Sequence, residues 1–143
     1  MEIIKQKLIP ILIIAVLAGG VAVIVTRNSS NGSAAMVKVT VPEFTPVAAR
    51  GRDLFNANCA ACHGKNAGGS ENGPPLVHQI YNPGHHADGA FVLAARNGVR
   101  AHHWRFGNMP PVPTVTQPEV MMIVRYIREL QLANGITTRP HVM

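Results

Sequence analysis

Cys59-Ala60-Ala61-Cys62-His63 is the most informative segment of the chain. Its two cysteines are the only cysteines present, and they lie three positions apart with a histidine directly after the second. A pair so close in sequence is a local device that does not join distant parts of a fold. This spacing lets both thiols reach the two vinyl groups of one haem while the adjacent imidazole reaches its iron. The motif therefore predicts a single, covalently attached haem c.

Other uses of the cysteine pair fit less well. A structural zinc site takes four ligands, commonly from two such pairs, and the chain has one pair. A thioredoxin-type redox motif follows a βαβ unit, which the sequence pattern lacks. A coincidental pair of buried thiols is the remaining alternative.

The composition limits the class of protein. The chain has 143 residues and 15.3 kDa, enough for one small domain and an appendage. Hydrophobic residues make up 47% and aromatic residues only 5%, while 13 Lys and Arg stand against 7 Asp and Glu. These values exclude a disordered chain, a collagen-like fibre and a disulfide-dense miniprotein.

The apolar excess lies at the beginning of the chain. Leu8 to Thr26 is nineteen residues without a charge, which as a helix measures about 28 Å and matches the hydrocarbon core of a bilayer. Lys5 and Lys7 precede the segment and Arg27 follows it. This bias places the N-terminus in the cytoplasm. Residues 1–27 are therefore predicted to be a single N-terminal transmembrane signal-anchor.

A cleaved signal peptide is the alternative interpretation of this segment. Small residues at Ser33-Ala34-Ala35 are suited to cleavage, but the apolar run is longer than the usual apolar core of a signal peptide. In both interpretations the rest of the chain is exported across the membrane. Residues 28–46, rich in small and polar residues at their start, are predicted to be a flexible extended linker.

Residues 47–136 show helical periodicity and no alternation long enough for a strand, which predicts an all-α domain followed by a tail at 137–143. The first helix should bury a face that contains Val47, Gly51, Leu54, Phe55 and Asn58. The second should begin with Asp88 as its N-cap and stop at Gly98.

The third helix has the clearest pattern. Thr116-Gln117-Pro118-Glu119 forms a capping box with a proline in the first turn, and Gly135 ends the helix. An apolar stripe at helical spacing must be buried; it consists of Val120, Ile123, Val124, Ile127 and Leu130. Three such short helices build little core by themselves, so the domain needs a large apolar group at its centre.

From these residues the domain resembles the class I c-type cytochromes over nearly all of 47–136. Gly51 and Phe55 resemble the contact pair on the first helix of that family, and Ile123 and Tyr126 resemble their partners on the last helix. Gly73-Pro74-Pro75-Leu76 is similar to the family's loop after the attachment motif. The resemblance implies that Pro74 and Leu76 contact the haem, and that the Pro74 carbonyl accepts a hydrogen bond from Nδ1 of His63.

Met109 is the predicted sixth iron ligand. It lies in Gly107-Asn108-Met109-Pro110-Pro111, a loop that resembles the family's axial Met-Pro segment, and the prolines stiffen its backbone. The resemblance also suggests that Trp104 walls the pocket and donates its indole N–H to a haem propionate. Ligation by His102 or His103 in place of Met109 is the competing possibility.

Two adjacent histidine pairs depart from the family pattern. His85-His86 and His102-His103 are expected to be solvated loop residues or propionate partners, or alternatively to bind copper or zinc as a second metal site. Adjacent residues on an extended segment point to opposite sides, so a single pair is not expected to give both ligands to one ion.

The resemblance implies the function. We expect a single-haem electron carrier and not an enzyme, either free on its tether or as an electron-transfer subunit of a larger oxidoreductase. It should be a single-pass protein of the bacterial inner membrane with its haem domain in the periplasm. The expected partners are a cytochrome bc complex, a dehydrogenase or a terminal oxidase, with no nucleic acid. A ligand-binding or copper-linked haem sensor that uses the paired histidines is the alternative.

Overall fold

The computed structural model describes residues 36–139. The predicted transmembrane segment, the first residues of the linker and the end of the predicted tail lie outside this range, and no helix within 36–139 is long and apolar enough to cross a bilayer. Within it the chain is helical, and its only β-pairing is an isolated bridge between Val99 and Met109. The helices are α1 (Pro46–Asn58), α2 (Ala60–His63), α3 (Asp88–Asn97) and α4 (Gln117–Ala133), with 3₁₀ turns at Lys65–Ala67 and Gln79–Tyr81. The prediction of an all-α domain is confirmed for these residues.

The contact between α1 and α4 forms the centre of the fold. A Cβ atom built on Gly51 would lie 1.9 Å from the carbonyl oxygen of Met122, so only glycine allows the helices to approach this closely. Phe55 of α1 and Tyr126 of α4 are fully buried, with ring centroids 5.4 Å apart. The predicted contact between the first and last helices is confirmed.

Helix α4 begins as its sequence predicts. The Thr116 N–H donates to the Glu119 carboxylate at 2.8 Å, which completes the capping box. Every residue of the predicted stripe is at most 5% exposed, and Gly135 leaves the helix at φ +74°. The amphipathic pattern therefore located this helix and its buried face.

Two details of the other helices differ from prediction. Val47 is 54% exposed and Ala48 is buried instead, because Ala48, Gly51 and Phe55 share the face of α1 that packs on α4. Asp88 is the first helical residue, not the N-cap, which is Ala87. The Asp88 carboxylate accepts a hydrogen bond from Arg128 of α4 at 2.8 Å, so it joins two helices instead of capping its own.

Residues 36–45, placed within the predicted flexible linker, are extended but held against the helical domain; we call them the N-terminal arm. Val37 N–H donates to the Gly68 carbonyl at 2.8 Å. The Asn134 side chain accepts from Thr40 N–H and donates to the Thr40 carbonyl, both at 2.8 Å. Val37 and Val39 pack on the core.

Candidate functional site

An apolar cavity of about 450 Å³ lies between α3, α4 and the loops that connect the helices. Its volume falls within the ~300–1,000 Å³ usual for small-molecule and cofactor sites. All the predicted site residues except Cys62 line it: Cys59, His63, Pro74, Leu76, Trp104 and Met109. The structure therefore brings together residues that are spread over fifty positions of sequence.

The attachment cysteines lie where α1 ends and α2 begins. Cys59 is the C-cap of α1 and half-buried, whereas Cys62 is on the exposed side of the one-turn helix α2. Burial and, to a smaller extent, the neighbouring Cys62 together raise the pKa of the free Cys59 thiol to about 11. Before attachment, Cys59 is therefore a neutral thiol next to an apolar cavity.

His63 is oriented by the loop that follows it. Its Nδ1 lies 2.9 Å from the Pro74 carbonyl oxygen; since a carbonyl only accepts, Nδ1 carries the proton and Nε2 keeps its lone pair. This is the hydrogen bond that the resemblance implies. Burial lowers the pKa of His63, and the Pro74 carbonyl opposes this effect. The ring is therefore held in the neutral tautomer that binds a metal through Nε2.

The loop at 70–75 is locked to the attachment motif. Ser70 Oγ donates to the Cys62 carbonyl at 2.6 Å, and a Cβ atom on Gly73 would lie 2.8 Å from that same carbonyl oxygen. These contacts fix Pro74 relative to His63.

Met109 lies in the long loop between α3 and α4 and is held there by its backbone. It exchanges two backbone hydrogen bonds of 2.9 Å with Val99. Gly98, at φ +74°, ends α3 beside this pair, and a Cβ atom there would lie 2.5 Å from the Met109 carbonyl oxygen. The end of α3 thereby fixes the backbone of Met109. Met109 and His63 both line the cavity.

Trp104 presents an unsatisfied donor. Its Nε1 is buried without a hydrogen-bond partner, and the residue lines the cavity. Its ring meets His78 edge-on at 5.1 Å. Burial raises the pKa of the nearby Tyr81, and the Trp104 side chain opposes this rise as a hydrogen-bonding neighbour, although the pair does not reach hydrogen-bond geometry. A buried, unpaired N–H in a cofactor cavity calls for an acceptor on the bound group, and a haem propionate has this chemistry.

The apolar cavity fits one haem, since Cys59, the oriented imidazole of His63 and the indole of Trp104 line it and Cys62 is one helical turn away. These features define a small helical protein built around a covalently attached porphyrin. The profile of the family Cytochrome c matches residues 48–131, more than half of the chain. The chain belongs to the cytochrome c family. Neither a curated protein nor a solved structure matches it. Membership implies that haem c is bound through Cys59 and Cys62, and the family generally carries electrons and does not catalyse reactions.

Some cavity residues were missed by the sequence analysis. Phe91, Leu93 and Ala94 of α3 and Val112 line the cavity, but their apolar character alone does not distinguish a cofactor wall from ordinary core. The sequence held no separate signal for them: only the structure shows that no residue of α3 is fully buried and that these apolar side chains line the cavity.

The paired histidines are brought together at the rim of this cavity. His86, His102 and His103 line it, and the ligand nitrogens of His85, His86 and His103 lie within 4.8 Å of one another. The expectation that adjacent histidines diverge was wrong for His85 and His86, because they occupy a turn and not an extended segment.

Burial and mutual repulsion disfavour a charge on His86 and His103. Burial lowers the pKa of His86, the Ile80 carbonyl opposes it, and His85, His102 and Arg128 lower it further. Burial and the neighbouring imidazoles likewise lower the pKa of His103. These two rings are therefore neutral at pH 7.

Proposed function

We propose that this cytochrome is a membrane-anchored member of class I with His63 and Met109 as axial ligands, and that it carries single electrons in the bacterial periplasm. The observation that carries the proposal is the position of Met109, which lines the same cavity as His63 on a loop clamped to Val99. A thioether opposite an imidazole raises the iron potential and suits electron transfer.

The protein's own residues have defined tasks in this function. When bound, the haem supplies one-electron oxidation and reduction at its iron. Pro74 holds His63 in the ligating tautomer, and the Val99–Met109 pair limits movement of the loop. An apolar wall of the cavity is formed by Leu76, Ile123 and Ile127. This wall excludes water, so little solvent rearranges around the site when its charge changes.

The proposed location rests on the N-terminal sequence. The uncharged segment from Leu8 to Thr26, with Lys5 and Lys7 before it, supports a single-pass anchor that exports residues after Arg27. If so, the protein should stay with membranes in high salt and leave them only in detergent. The proposed donors, a cytochrome bc complex or a dehydrogenase, and the proposed acceptor, a terminal oxidase, follow from the family.

The optical spectrum of the ferric, full-length protein tests the proposed ligation. We expect a low-spin spectrum with the weak near-infrared band of an iron–methionine bond, which Met109→Ala abolishes. Met121→Ala is the matched control, because Met121 is 42% exposed on α4 and does not line the cavity. A high-spin spectrum, or a low-spin spectrum without this band in the wild type, would contradict the proposal.

The rim histidines favour a second candidate function. Three imidazoles lining the cavity would suit a haem protein that binds an external ligand after Met109 leaves. Carbon monoxide separates the two functions, because a firmly six-coordinate ferrous iron binds it poorly. Rapid, complete formation of the carbonyl adduct at neutral pH would favour the sensor.

A further inference from the structure

We propose that His85, His86 and His103 form a second metal site, distinct from the haem iron, that binds one divalent ion of the zinc and copper class. Their ligand nitrogens already lie within 4.8 Å of one another, and Nε2 of His85 is 3.3 Å from Nε2 of His103. Two nitrogens on one tetrahedral zinc lie about 3.4 Å apart, since each Zn–N bond is about 2.0–2.1 Å. This contact is a hydrogen bond between the two rings, and its length also matches the separation of two ligands on one ion.

The turn that carries His85 and His86 is rigid because it is built on a buried asparagine. The Asn82 carbonyl accepts from the backbone N–H groups of His85 and His86 at 3.0 and 2.9 Å. The Asn82 side chain accepts a hydrogen bond from Gly84 N–H at 2.9 Å and donates one to the Gln79 carbonyl at 2.7 Å. Asn82 is only 7% exposed, so this network fixes the two histidines before any ion arrives.

His86 is also held in a ligating tautomer. Its Nδ1 lies 2.8 Å from the Ile80 carbonyl oxygen, which requires the proton on Nδ1 and leaves the Nε2 lone pair available. Metal-binding histidines ordinarily have such a partner on the second nitrogen. The Arg128 guanidinium also donates to the His86 carbonyl and ties the turn to α4.

His103 comes from a separate loop that is fixed at its two ends. The Val99–Met109 pair closes this loop, and Ala101 N–H donates to the Asn108 side chain at 3.0 Å. The neighbouring His102 points its Nδ1 at the Arg100 carbonyl, 2.8 Å away, and is not part of the three-nitrogen group.

The three imidazoles determine which class of metal ion the site would bind. Imidazole favours zinc, copper, iron and nickel over calcium or magnesium. The nearest carboxylate in sequence, Asp88, is paired with Arg128 at 2.8 Å. An ion held by the three histidines therefore keeps an open position for water or another ligand.

Isothermal titration of the ferric, full-length holoprotein in detergent with Zn²⁺ tests the site, since zinc undergoes no redox reaction with the haem. We expect one zinc per chain, and at least about a tenfold loss of affinity in His85→Ala and in His103→Ala. His102→Ala is the matched control and should retain the wild-type affinity. Equal affinity in all four proteins, or no zinc uptake by the wild type, would overturn the proposal.

The haem spectrum of the same variants, recorded without added metal, separates this site from haem ligation. We expect His85→Ala and His103→Ala to keep the wild-type ferric spectrum, which also shows that the domain is folded. A spectral change in metal-free His103→Ala would assign that imidazole to the iron and overturn the proposal. This test does not depend on whether Met109 is the sixth ligand.

Discussion

Single atoms decide how closely the two main helices pack. The missing Cβ atom of Gly51 allows α1 to rest on the backbone of α4, and Tyr126 fills the space beside it with both Phe44 and Phe55 against its ring. These contacts were predicted in part, since a glycine four residues before a phenylalanine on one face indicates a close helix crossing. The burial of the Tyr126 hydroxyl without a hydrogen-bond partner was not predictable in the same way, because it depends on the complete packing.

Gly51→Ala should destabilise the protein by about 1–3 kcal/mol or more, because the new methyl group would overlap the Met122 carbonyl and force the helices apart. Denaturant unfolding of the holoprotein measures this change. Gly89→Ala is the matched control: no atom lies within 4 Å of its added Cβ, and in the first turn of α3 alanine should stabilise by about 0.4–1 kcal/mol because it restricts the unfolded chain. Similar effects of the two substitutions would refute the close-packing argument.

Tyr126→Phe should leave the stability unchanged or raise it by up to about 1 kcal/mol. The Tyr126 hydroxyl is buried without a hydrogen-bond partner, and burial raises its pKa to about 12, although Arg52 opposes this rise. Removing an unpaired polar group removes its desolvation penalty while the ring contacts persist. A loss of more than about 1 kcal/mol in thermal or denaturant unfolding would indicate that the hydroxyl has a partner.

At the scale of elements, prediction succeeded where a pattern is local and failed where a partner is distant. The apolar stripe and capping box of α4 are contained in about fifteen consecutive residues, so they can be recognised without knowing the fold. The N-terminal arm is different, because Thr40 contacts Asn134 and Thr45 contacts Glu129 across most of the domain. Its composition suggests a free linker, and only the tertiary contacts show that residues 36–45 belong to the domain.

Glu129 holds the end of the N-terminal arm to α4, and the stability that its carboxylate contributes should depend on pH. Its carboxylate accepts from Thr45 N–H and Oγ1 at 3.0 and 2.7 Å and from Arg125 at 2.7 Å. Burial raises the pKa of Glu129, but these hydrogen bonds outweigh it and hold the pKa below the ordinary 4.5. Because the folded-state pKa is lower than the unfolded one, this stabilisation is present above the unfolded value and is lost as the pH falls through the folded value.

Glu129→Gln should therefore destabilise the protein by about 1–2 kcal/mol at pH 7, and the difference from wild type should shrink as the pH falls below about 4. Denaturant midpoints measured at several pH values test this. Glu119→Ala is a useful comparison because it removes the capping-box contact of α4 and not the contact with the arm. A difference that grows on acidification would contradict the assigned sign.

The whole molecule shows which parts of a site a sequence can reveal. Cys59, Cys62 and His63 form one short motif whose spacing is dictated by the haem, so they were predictable without any structure. The histidine cluster joins residues eighteen positions apart through two loops, and no local spacing rule brings them together. Loops held by single residues such as Asn82 determine this geometry, and sequence periodicity carries no information about it.

The charge distribution around the cavity leads to a prediction for the molecule as a whole. From residue 28 onward, ten Lys and Arg against six Asp and Glu leave a formal charge of +4. Arg96, Arg100 and Arg105 are exposed, and residues on both sides of each arginine line the cavity. These three arginines therefore place positive charge next to residues of the cavity lining, and such charge attracts anionic redox partners.

Oxidation of the ferrous protein by ferricyanide, a trianion, should therefore slow as ionic strength rises, because salt screens charges over about 10 Å at 0.1 M. The double variant Arg100→Gln/Arg105→Gln should lower the stopped-flow rate constant about twofold to tenfold at low salt and approach the wild type at high salt. The matched control Arg50→Gln/Arg52→Gln makes the same change of net charge on α1, away from the cavity lining, and should have a smaller effect. Equal effects of the two double variants would mean that net charge alone steers the reaction, whereas a larger effect at the cavity identifies the edge through which electrons pass.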